Sequence, residues 1–141
     1  DPVTGAVGAV HAGWRGTAGD IVGNAVRAMC EHFGSRPEDI RAAIGPNIGV
    51  CCFETHEDVP NAVRAVLGEE AEGFIVPSGE KFRVDLKGVN AALLRRCGVK
   101  DIEISCDCTA CRPDRFWSHR RVGNDRGSLA AIIVCEGGDT K

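Results

Sequence analysis

The run Gly5-Ala6-Val7-Gly8-Ala9-Val10-His11-Ala12-Gly13-Trp14-Arg15-Gly16-Thr17 constrains this chain more than any other stretch. Val3, Val7 and Val10 among small residues predict a buried opening strand, because the run is too short and too glycine-rich for a helix. Gly13 and Gly16 then let the backbone pass close to whatever sits at the strand's end. Thr17 or Asp20 is expected to cap a helix that starts there, with free N–H groups aimed at the same spot. Arg15 adds a planar cationic fork suited to an anion. A His, an Arg and a helix start at one strand end describe a place for a phosphate or carboxylate beside a metal or general acid. The plainer alternative is a strand-to-helix turn with a surface Arg, a half-buried Trp and a core His.

The remaining pattern alternates. Ile21, Val22, Ala25, Val26, Met29 and Phe33 recur at helical spacing, which predicts a helix over 17–33 ended by Gly34. A short strand over 40–44 runs into a second glycine-rich loop, 45–49. Another amphipathic helix is expected over 57–67, then an exposed linker over 68–80. Phe82 and Val84 alternate before Asp85, which is expected to cap a helix over 86–97. Ile102 and Ile104 mark a strand entering a Cys-rich loop at 105–115. Residues 129–134 read as the last buried strand, followed by a polar tail. Short strands among helices predict an α+β fold of mixed β-sheets flanked by helices, in a single domain.

Composition narrows the function classes. The 141 residues are the size of one domain, and 43% hydrophobic with 26% charged residues is enough for an ordinary core. A net charge of −3 argues against a nucleic-acid partner, which calls for a basic face. No apolar run is long enough for a membrane span. The eight cysteines, several in helix and strand patterns where Cys packs as a small hydrophobe, point to a reducing cytoplasm.

Four stretches in order carry a resemblance: Ala9 to Thr17, Ala43-Ile44-Gly45-Pro46-Asn47-Ile48-Gly49-Val50-Cys51-Cys52-Phe53-Glu54, Asp85-Leu86-Lys87-Gly88-Val89-Asn90, and Cys108-Thr109-Ala110-Cys111 running into Phe116-Trp117-Ser118-His119-Arg120-Arg121. Together they resemble the laccase-domain family, also called multicopper polyphenol oxidases, whose members include zinc-dependent purine nucleoside phosphorylases and bacterial peptidoglycan-editing factors. The resemblance implies packed mixed sheets, a purine nucleoside and phosphate as substrates, and a side activity as adenosine deaminase. It implies that His11 is both catalytic and one of three zinc ligands. The other two lie in Val-His-Gly and Ala-Asp-Cys segments that do not occur here, so residues 1–141 are expected to be the C-terminal part of the family's domain. Copper fits less well than zinc, since a multicopper oxidase needs about ten His ligands and this chain has four His and one Met.

Arg15, Arg120 and Arg121 are the candidate phosphate partners, with Arg15 catalytic, and Asn47 is the candidate for a purine edge. Arg126 is a candidate substitute for an Arg that many family members place before the last strand. Cys106, Cys108 and Cys111 with His119 form a possible structural zinc set, set against the alternative of buried or reactive thiols. Cys51 and Cys52 are adjacent and are expected to diverge, one toward the core and one toward the cleft. His32 and His56 receive no catalytic role.

Overall fold

The computed structural model describes residues 1–135. Helix α1 (Trp14–Ala18) is followed by α2 (Ile21–Phe33), strand β1 (Arg41–Ile44) and the two-residue strand β2 (Glu54–Thr55). Then come α3 (Asp58–Leu67), β3 (Ile75–Ser78), β4 (Lys81–Val84), α4 (Leu86–Arg96), β5 (Asp101–Ile104) and α5 (His119–Val122). β2, β4 and β3 form an antiparallel sheet in that order, whereas β1 and β5 form a separate parallel pair. This is the expected α+β architecture of small mixed sheets with helices against them.

α4 is the hub. Leu86, Val89, Ala92 and Leu93 enter one cluster with Phe53, Val63, Leu67 and Val84. Leu94, the very next residue, enters a second cluster with Val26, Ile40 and Val99. A helix that is buried on nearly every side needs apolar residues nearly all round, which its sequence supplies from Leu86 to Leu94. Gly88 is required where α4 meets Phe74, because a Cβ there would lie 2.5 Å from the ring.

The predicted helix over 17–33 is two helices. Asp20 sits in the left-handed region at φ 54° and its carboxylate accepts from the Gly23 N–H, so the chain turns at Gly19–Asp20 and restarts. Gly34 ends α2 at φ 68°, as expected. Asp85 precedes α4 but makes no side-chain cap bond. The expected linker at 68–80 is instead a 3-10 segment, Gly68–Phe74, with Ala71 fully buried, leading into β3. Its charged residues misled the reading, since they line the outer side of a segment whose inner residues pack on α3.

Both terminal strands are also corrected. Among the described residues no strand forms over 3–10 or 129–135, and Val3, Val7, Val10, Ile132 and Val134 are exposed. An apolar run becomes a strand only where another edge satisfies its N–H and C=O groups, and none of the described strands pairs with either run. Cys135 therefore does not end a strand; its sulfur lies against Gly5. Residues 136–141, most of the expected polar tail, fall outside the described residues.

Candidate functional site

The parallel register of β1 and β5 decides what is brought together. Arg41 faces Asp101 and Ile44 faces Ile104, so both strands release their following loops at the same end. The pairing continues into the loops. Ser105 N–H donates to Ile44 O at 2.9 Å, Asn47 bridges Cys108, and Thr109 N–H donates to Asn47 O at 3.0 Å. Carboxyl ends of adjacent parallel strands are where such sheets gather functional groups.

Four thiols meet there. The sulfurs of Cys51, Cys52, Cys108 and Cys111 all lie within 4.8 Å of one another. Cys51 Sγ is 3.7 Å and Cys52 Sγ 3.4 Å from Cys111 Sγ. This overturns the expectation that Cys51 and Cys52 diverge. The N–H groups of Cys52 and Phe53 both donate to Gly49 O at 2.9 Å, which curls the segment into a tight turn. In such a turn successive side chains are no longer on opposite faces as in a strand. The expected set of Cys106, Cys108, Cys111 and His119 is corrected likewise. Cys108 and Cys111 stay, but Cys106 and His119 are not in the cluster. His119 Nδ1 instead lies 3.0 Å from Gly123 O and 2.9 Å from Arg126 Nη1.

The thiols are electrostatically unequal. Burial alone would raise the Cys108 thiol, but the N–H groups of Gly49, Cys111 and Ala110 aimed at its sulfur bring it down to about 6. Gly49 N–H donates to it at 3.2 Å. Cys52 is pushed up to about 12, first by its hydrogen bond with Cys111 and then by burial. Burial, then contact with Cys108 and Cys111, also raises Cys51. One sulfur is thus prepared to be an anion, while Cys51 and Cys52 resist joining it unless a cation arrives. Nearby, the ammonium of Lys87, only 7% exposed, donates to the carbonyls of Ser105 and Asp107 at 2.7 Å each. It fastens the Cys-rich loop to α4.

The other expected residues fall in two places. Arg120 is at the thiol-bearing loop: its guanidinium donates to Glu54 O and lies 5.3 Å from the Phe53 ring centroid. Arg121 is exposed on the same short helix α5. Asn47 contributes its backbone to the loop pairing, while its side-chain Oδ1 is buried without a hydrogen-bond partner in the protein. His11 and Arg15 belong to the opening turn instead. Both are exposed, and Arg15 stacks over Trp14 at 4.2 Å. Trp14 packs against the first core cluster. Thr17, fully buried, accepts from Asn90 Nδ2 at 3.1 Å, and Asn90 Nδ2 also donates to Leu86 O at 2.7 Å. The turn is therefore locked to α4 from beneath, with His11 and Arg15 left on its outer side.

Zinc of the kind the resemblance implies was tested against these surroundings. Among the described residues, His11 is not part of any group of three potential metal ligands. The described residues do not by themselves make that centre. Sequence reasoning missed Cys51 and Cys52 as partners of the Cys-x-x-Cys pair. The usable signal was positional: Gly49-x-Cys-Cys and Cys-x-x-Cys each follow a short apolar strand, and those strands pair in parallel. Two shallow hollows of about 340 and 370 Å³ lie along the β1–β5 rim, and Cys106, of the expected thiol set, lines the second.

Comparison with known proteins supplies the wider setting. The family model described as multi-copper polyphenol oxidoreductase laccase matches residues 1–136. A protein of Geobacillus stearothermophilus named purine nucleoside phosphorylase YlmD is 38% identical over 135 residues, covering 94% of this chain and 49% of that protein. One of Deinococcus radiodurans named purine nucleoside phosphorylase is 40% identical over 134 residues, covering 94% of this chain and 50% of its own. The crystal structure of the Bacillus licheniformis hypothetical protein YfiH superposes with a TM-score of 0.77 at 39% identity, over 81% of this chain and 44% of that one. The chain thus spans about half the length of the curated relatives it matches.

Proposed function

This chain belongs to the multi-copper polyphenol oxidoreductase laccase family, and from that premise we propose that it works in a purine nucleoside phosphorylase. His11, Arg15, Asn47, Arg120 and Arg121 would face a purine nucleoside and inorganic phosphate. The names of the relatives support the reaction class. The observation that carries the reading for these residues is the opening turn. Its scaffold is locked by Thr17 and Asn90 and by Trp14 on the core, while its His and Arg stay exposed.

Phosphorolysis breaks the glycosidic bond as a phosphate oxygen joins the anomeric carbon. Positive charge builds on the sugar and negative charge on the departing base, so catalysis is largely positioning and electrostatic stabilisation. Arg15 rests over the Trp14 ring at 4.2 Å, which limits its freedom while leaving its fork available for paired hydrogen bonds to phosphate. Arg120, held by Phe53 and Glu54 O, is a second fixed cation. Asn47 is the proposed partner of a purine edge, which requires its side chain, whose Oδ1 is buried, to turn outward from the loop. His11 would exchange a proton with the leaving base. Adenosine, inosine and methylthioadenosine are the proposed substrates, adenosine deamination a side activity and the cytoplasm the location. No helix among the described residues is long and apolar enough to cross a membrane.

The test is release of free base from adenosine or inosine by the protein carrying this chain, with and without phosphate. Release that needs phosphate and yields the sugar phosphate is expected, with Arg15→Ala lowering kcat/KM about 100-fold. Release independent of phosphate, or full activity in R15A, overturns the assignment.

A further inference from the structure

We propose that Cys51, Cys52, Cys108 and Cys111 bind one zinc ion as a closed four-thiolate centre that pins the loop after β1 to the loop after β5. It shares its loops with Asn47 and Arg120 of the proposed nucleoside site, but its argument does not depend on that reading. Zinc–sulfur bonds of about 2.3 Å in a tetrahedron set sulfurs about 3.8 Å apart. The observed 3.7 and 3.4 Å separations, with all four sulfurs inside 4.8 Å, need only small adjustments to reach that figure. The 3.4 Å between Cys52 and Cys111 is by contrast far from the roughly 2.05 Å of a disulfide.

The donor chemistry agrees. Four soft sulfurs in a compact cluster select zinc over hard cations such as magnesium or calcium. Cys108-Thr109-Ala110-Cys111 has the two-residue spacing common in structural zinc sites. The Gly49 N–H to Cys108 Sγ bond supplies the outer contact that orients a ligand sulfur. A Cβ on Gly49 would come within 3.3 Å of both Cys108 Cβ and Cys51 Sγ, so a larger residue there would have to push these cysteines away by a few tenths of an ångström. A four-thiolate zinc is a dianion, and the loops that would carry it hold Lys87, whose ammonium sits on the Ser105 and Asp107 carbonyls, and Arg120 over Phe53, while Arg112 is paired with Asp107 and Asp114. The thiol protons pass to solvent on binding and no oxidation state changes. With every coordination position taken by protein, the ion is structural.

The test starts from chelator-treated protein reduced and reloaded with zinc, then desalted. One zinc per chain is expected, with four of the eight cysteines protected from a thiol reagent. Cobalt in its place should give intense sulfur-to-metal charge-transfer absorption. His11→Ala should retain both signals and Cys111→Ser should lose them. If C111S fails to fold, cobalt titration of the unaltered protein decides alone. Cobalt without charge-transfer absorption overturns the proposal. So does metal lost in H11A but kept in C111S, or a reduced protein that takes up no zinc and reforms a Cys52–Cys111 disulfide.

Discussion

The antiparallel sheet and the parallel pair are both built from strands of no more than four residues yet end up very differently covered. β2, β4 and β3 lie against α3 and α4, and the cluster beneath them holds Val63, Val84 and Val89 at no more than 1% exposure. β1 and β5 rest on α2 and α4 through a smaller cluster, and their outer residues, including Ile104 at 40%, remain exposed. Antiparallel sheets tolerate one wet face, whereas parallel pairs normally sit inside a covered sheet. The first region satisfies its own geometry within the described residues. The second is a platform whose strand ends bring the four thiols together.

Leu93 and Leu94 test that contrast at adjacent positions. Leu93→Ala should cost about 3–4 kcal/mol, because it opens a cavity in the larger cluster, and Leu94→Ala about 2 kcal/mol, because the smaller cluster can relax toward solvent. Denaturant unfolding of both variants measures this, and equal losses would erase the distinction. Thr17→Val comes next. It strips the hydroxyl that meets the buried Asn90 amide, at about 1–3 kcal/mol. A negligible loss would show that the opening turn is not anchored to α4. The smallest effect is expected for Arg41→Ala. Its ion pair with Asp101 spans 3.5 Å between side chains 73% and 68% exposed, and such pairs contribute about 0–1 kcal/mol. A larger loss would mean that charge, not packing, holds the parallel strands together.

Local periodicity made much of the frame readable. α3, α4, β1, β4 and β5 all lie where their apolar spacing places them, and Gly34 ends α2. The failures share a physical origin in tertiary context. Asp20 broke a continuous helical pattern by taking a left-handed conformation that favours Gly, Asn and Asp. Val3 to Val10 and Leu129 to Val134 have strand composition, but composition cannot supply the facing edge. Of the proposed site residues, His11, Arg15, Asn47 and Arg120 stood out as residue types, the first three beside glycines. The convergence of Cys51 and Cys52 with Cys108 and Cys111 did not, since it follows from the register of two strands with the whole antiparallel sheet, α3 and α4 between them in sequence.

That register also sets an order of assembly. β3 and β4 join through the two-residue turn Gly79-Glu80, with Gly79 at φ 62°, and a hairpin of this kind closes in about 1–10 μs. β1 can find β5 only after the whole antiparallel unit between them has been spanned, and long loop closures are slow. The thiol-bearing loops therefore meet late in folding. Amide protection should rise first at Asp85, whose N–H reaches Phe74 O across the base of the hairpin, and last at Ser105, whose N–H reaches back to Ile44 O.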